Sequence, residues 1–71
     1  MLVLEYRYNP RYTDFKMLNK QINLFSEYLG FDYFINKRFR KIEIYDNQPC
    51  KEKVDYIQEN IMMIVNVSSC D

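Results

Sequence analysis

Over residues 2–8 apolar and polar positions alternate. Leu2, Leu4, Tyr6 and Tyr8 fall on one side and Val3, Glu5 and Arg7 on the other, the period of a half-buried strand. Asn9-Pro10 ends the run. From there the spacing changes: Phe15, Leu18, Ile22, Phe25 and Leu29 recur every three or four positions and predict a helix. Thr13 or Asp14 is its cap, and Gly30, the sole glycine, is its stop. Residues 31–35 alternate again and residues 38–45 read as a further strand, so the two form a hairpin turning tightly around Asn36-Lys37. Residues 46–49 make a turn that places Pro49 at or near the start of a second helix, whose stripe is Cys50, Val54, Ile57 and Ile61. Asn60 reads as the stop of that helix. Residues 62–67, rich in β-branched side chains, suit a final strand, and 68–71 a polar tail.

The resulting order, βαββαβ, predicts an α+β domain of the ferredoxin-like kind spanning residues 1–71. Four antiparallel strands in the order 4-1-3-2 would carry two helices on one face. The alternative is a ββ-hairpin α+β arrangement without the last strand, residues 61–65 prolonging the second helix. In the first arrangement the core side of the sheet holds Leu2, Leu4, Tyr6, Phe31, Tyr33, Ile35, Ile42, Ile44, Met63, Val65 and Val67. Charge favours a register for the first and third strands in which Glu5 lies opposite Lys41, Val3 opposite Glu43 and Arg7 opposite Phe39. Opposed like charges, as in Glu5 against Glu43, would cost about 1 kcal/mol over two sites. Many unrelated families share this element order, so it carries no function by itself.

Composition narrows the chemistry. The 71 residues hold ten basic and ten acidic side chains and are 48 % hydrophobic and 17 % aromatic, enough apolar matter for one folded domain. No histidine is present, which removes the usual general base and the commonest metal ligand. A single glycine cannot build a phosphate-cradling loop. Cys50 and Cys70 stand twenty positions apart with no C-x-x-C pair, which argues against a thiolate metal site. No cofactor, no metal and no catalytic set is expected, and the chain reads as a non-enzyme. The apolar run 2–4 is too short for a signal or membrane span and is closed by Glu5 and Arg7, so a cytoplasmic protein without a membrane partner is expected. Alanine is absent while Asn, Ile, Lys and Tyr abound, the usage of an AT-rich coding sequence such as a phage, a plasmid or a low-GC bacterium carries.

Two surfaces hold the candidate binding residues. On the sheet face away from the helices the expected pattern leaves Phe34, Phe39, Tyr45, Met62 and Ile64, and on the first helix Met17, Leu24 and Tyr28 form a line beside the core stripe. These fit a protein partner or a second copy of the chain. The function expected is that of a small interaction module, a regulator or inhibitor of a larger machine, of a kind that a phage would direct at a host protein. The alternative is single-stranded RNA or DNA lying on the sheet, its bases stacked on Phe34, Phe39 and Tyr45 and its phosphates met by Arg7, Lys37, Arg38, Arg40 and Lys41. Zero net charge and the acids Glu5, Asp32 and Glu43 on that face weigh against it. Cytosolic reduction predicts that Cys50 and Cys70 stay unlinked. Alkylation of freshly prepared protein without reductant, followed by mass measurement, should find both thiols modified, and a loss of two hydrogens would contradict this.

Overall fold

The computed structural model describes residues 1–68, so Cys70 and the end of the expected tail lie outside the described residues. Five elements follow in order: β1 (Leu2–Arg7), α1 (Phe15–Leu29), β2 (Asp32–Asn36), β3 (Lys41–Tyr45) and α2 (Lys51–Val67). The α+β class and the two helices agree with the sequence pattern. The four-stranded 4-1-3-2 sheet does not form: the sheet is three-stranded and antiparallel, in the order β1-β3-β2. α2 lies over β1, α1 over β2, and the two helices touch each other.

The expected final strand is instead the second half of α2. Asn60 does not stop the helix; its side-chain amide donates to the Tyr56 carbonyl one turn back at 2.9 Å, which absorbs its polarity without breaking the ladder. Beyond it Ile64 and Val65 continue the three-and-four stripe of Ile57 and Ile61 against the core. That burial outweighs the few tenths of a kcal/mol by which β-branched residues disfavour helix. Met63 and Val67, placed in the core by the strand assignment, are consequently exposed. α2 begins at Lys51 with Cys50, an exposed free thiol, as its N-cap and no side-chain capping bond, so Pro49 precedes the helix rather than opening it.

α1 follows its sequence signals closely. The Asp14 carboxylate accepts from Lys16 N at 3.1 Å and Met17 N at 3.3 Å. Gly30 closes the helix at φ 76°, its N–H donating to Ser26 O at 2.7 Å, a conformation only glycine adopts without a Cβ penalty. The hairpin is looser than the expected turn around Asn36-Lys37, because residues 37–40 all belong to the connection. Its last residue, Arg40, sits at φ 57°, an uncommon left-handed site for a side-chain-bearing residue. The Tyr8 N–H donates to Arg40 O at 3.1 Å, and the Phe39 N–H to Asn36 Oδ1 at 3.1 Å, so the turn is tied at both ends.

The register of β1 on β3 also differs from the one that charge favours. Leu4 pairs with Ile44, Glu5 with Glu43, Tyr6 with Ile42 and Arg7 with Lys41. Like charges therefore stand opposed twice, against the expectation from charge alone. The apolar side decides: this register faces Leu4 and Tyr6 with the fully buried Ile44 and Ile42 and carries Tyr8, 6 % exposed, into the core. Sliding β1 by two residues would forfeit that packing at about 1.5–3 kcal/mol per side chain. Between Leu2 and Leu4 the register shifts by one, so Leu2 pairs with Tyr45 and moves to the outer face, where it is exposed rather than in the core.

The core holds Leu18, Ile22, Ile42, Ile44, Ile57 and Ile61, each with no exposed surface, with Tyr8 and Phe31 beside them. Of the expected strand residues Leu4, Tyr6, Tyr33, Ile35 and Val65 pack around this cluster half-buried. A continuous α2 has a sharp consequence. Asn60→Pro should cost about 3 kcal/mol or more of stability, read as a lowered melting temperature, whereas a helix ending at Asn60 would tolerate it nearly unchanged.

Candidate functional site

The outer face of the sheet, opposite the helices, is organised by the opposed carboxylates of Glu5 and Glu43. Lys41, two residues along β3 on the same face, reaches diagonally to Glu5 Oε1 at 2.7 Å and stands 3.7 Å from Glu43 Oε2. The Glu5–Lys41 pairing expected from the other register thus forms in this one, because a lysine stem spans the diagonal. Glu43 also accepts from the Tyr45 hydroxyl and from Asn36 Nδ2 at 3.2 Å. These bonds, the Tyr45 hydroxyl first, hold its carboxyl below the usual range, while Lys41 is raised by Glu5 and Tyr45 by Glu43. A general acid at neutral pH needs the opposite shift, a carboxyl pushed up. Glu43, held down by these donors, braces the sheet face.

Around this network the predicted partner residues part company. Phe34, Phe39 and Tyr45 do share the outer face, Phe34 and Phe39 exposed and Tyr45 half-buried. Met62 and Ile64, assigned to that face as strand residues, stand on α2 on the other side of the sheet, and Ile64 packs against the core. Nor do the five basic residues make one patch. Arg38 and Lys41 flank the Phe39 ring at 5.5 and 5.8 Å, whereas Lys37 turns to the helix side and lies 5.1 Å over Phe15. Arg7 stands beside Lys41 across the strands rather than over Phe39. Lys41 is engaged by two acids, while Arg7 and Arg38 stand exposed beside it.

The helix layer shows a second surface, larger than the sequence pattern suggested. At about 100° per residue, Met17, Leu24 and Tyr28 lie on the flank of α1 that also carries Gln21. Gln21 meets Asn60, Met63, Ile64 and Val67 of α2 around a shallow cavity of about 210 Å³. Tyr56 leans from α2 onto Phe25 of α1, their rings 6.1 Å apart. Met17, Leu24 and Tyr28 from α1 and Tyr56, Met63 and Val67 from α2 therefore share the solvent side of the interhelical seam, each between 40 % and 81 % exposed. Tyr56 is not visible as a candidate in the sequence because its place on the seam depends on how α2 packs against Phe25 of α1. Met63 and Val67 were hidden by their assignment to a strand.

A third concavity follows the free edge of β2. Phe15, Lys16 and Asn19 of α1 face Tyr33, Phe34 and Ile35 of β2 and Lys37 across a groove of about 500 Å³. The Tyr33 hydroxyl donates to Asn19 Oδ1 at 2.9 Å and fixes one wall. Among the described residues no three of Cys, Asp and Glu gather in a metal-binding group, and no helix is long and apolar enough to cross a membrane.

No protein-family model, curated protein or solved structure matches this chain.

The lowered carboxyls set a pH dependence. Glu43 and Asp46, the latter held down first by its 2.7 Å contact with Lys53, are more acidic folded than unfolded. Their contribution is complete above the unfolded value of about 4.3 for Glu and 3.9 for Asp, and is lost as pH falls through the lower folded values. Denaturant midpoints measured from pH 6 downward, a range chosen to span about two units above those values, should fall on the acid side. Glu43→Gln should flatten that limb, and an identical acid limb in the variant would contradict the assignment.

Proposed function

We propose that this chain is a small non-catalytic protein-binding module that regulates or inhibits a larger protein. The observation that supports this best is the apolar strip along the α1–α2 seam, where six large side chains are left in water by a domain with only one small core. Large apolar side chains gathered on one exposed surface mark interaction sites. Methionine and tyrosine dominate it, the adaptable and the amphipathic anchor residues of interfaces. Two antiparallel helices with an apolar seam between them present the groove into which a partner helix lays its own apolar face. The Ala-free, Asn- and Lys-rich composition suits a phage-encoded regulator directed at a host protein.

The sheet face supports the nucleic-acid reading less well, because Glu43 stands across the strands from Phe34 and the central lysine is already paired. Leu24→Asp with Met63→Asp tests the reading. Both positions are exposed, so melting temperature should hold within a few degrees while retention of the partner protein from cells that carry the gene, or self-association in sedimentation equilibrium, is lost. Retention that survives the double variant, or a bound single-stranded nucleic acid released steeply by salt, would overturn it.

A further inference from the structure

The free edge of β2 differs from that of β1. In the β1–β3 ladder the Tyr8 N–H donates to Arg40 O, so Tyr8, Tyr6 and Leu4 are the hydrogen-bonded partners of Arg40, Ile42 and Ile44. By alternation Lys41, Glu43 and Tyr45 bond to Asn36, Phe34 and Asp32 on the other side. The backbone N–H and C=O groups of Tyr33 and Ile35 therefore point away from the sheet. β2 is paired in unbroken register over its five residues, while β1 is interrupted near Val3, a device that blunts an edge against strand addition. The β2 edge borders the groove between Phe15, Lys16 and Asn19 of α1 and Tyr33, Phe34 and Ile35 of β2. Its floor is Phe15 and Ile35, and Lys16 and Lys37 stand at its rim with no acidic side chain lining it.

We infer that the β2 edge accepts an extended acidic segment of a partner protein as an added strand, with the Tyr33 and Ile35 backbone pairing its main chain and Lys16 and Lys37 meeting its carboxylates. Alternate side chains of such a strand enter the groove, where apolar residues meet Phe15 and Ile35 and acidic ones meet the lysines; the intervening side chains pass beside Phe34 on the outer face. This inference rests on the protein-binding reading but uses a surface separate from the α1–α2 seam, so the two can fail independently.

The probe is a capped peptide repeating Glu-Thr-Val-Thr, which sets Glu and Val on one side of a strand, titrated into the full chain while backbone amide shifts are followed. The largest shifts are expected at Tyr33 and Ile35. Methylating the peptide's backbone nitrogens on the pairing side should abolish binding, because strand addition needs those donors. Lys16→Glu with Lys37→Glu, both exposed positions, should weaken the peptide by about tenfold or more. The same variant should gain affinity for a charge-reversed Lys-Thr-Val-Thr peptide. Leu24→Asp with Met63→Asp should leave the peptide's affinity unchanged. Absence of amide shifts at roughly 1 mM peptide, equal binding of the methylated peptide, or shifts centred on the α1–α2 seam would each overturn the inference. The first two results would leave the reading of the seam standing.

Discussion

Ile42 and Ile44 lie on the one strand that is paired on both sides, and both are wholly buried under the helix layer. Everything else in the domain answers to keeping them there. Because side chains alternate along a strand, a slip of one residue would turn both isoleucines to water and carry Glu43 into the core. A slip of two would preserve the faces but strip Tyr6 and Tyr8 from their partners. The core thus tolerates a single alignment of β1 on β3, and that alignment opposes Glu5 to Glu43 and Arg7 to Lys41.

The outer network is the consequence of that constraint. Two carboxylates forced together need a cation and hydrogen-bond donors, and Lys41, Tyr45 and Asn36 supply them. Burial of isoleucine and tyrosine is worth several kcal/mol across the sites concerned, whereas cross-strand charge preferences amount to about 0.2–1 kcal/mol each. Apolar burial therefore sets the register, and the reach of the lysine side chain relieves the charge opposition that follows. On this face Glu5, Glu43 and Lys41 are committed to one another.

The same competition explains α2. Val65 and Ile64 favour a strand locally, yet the three-and-four spacing of Ile57, Ile61 and Ile64 buries a stripe under the sheet that a strand could not match. Prolonging the helix exposes Met63 and Val67 next to Met17, Leu24 and Tyr28, and the apolar seam is its by-product. With the fourth strand gone, both outer strands keep free edges among the described residues.

By itself the sequence determined β1, α1 with a cap at Thr13 or Asp14 and a stop at Gly30, the existence of the two hairpin strands, the inward stripe of α1 and the Ile57–Ile61 part of that of α2, because these depend on local periodicity and on caps that act within a few residues. It also marked Phe34, Phe39 and the Met17–Leu24–Tyr28 line as surface apolar groups. Three matters were left to the tertiary structure: the state of residues 62–67, the register of β1, and which candidates stand together. Each turns on contacts between residues far apart in the chain. Short β-branched runs fit helix or strand alike until a surface is offered for burial, and opposed charges read as unfavourable until the position of a third side chain is known. Lys37 over Phe15 and Tyr56 against Phe25 arise from helix packing that no spacing in the sequence encodes.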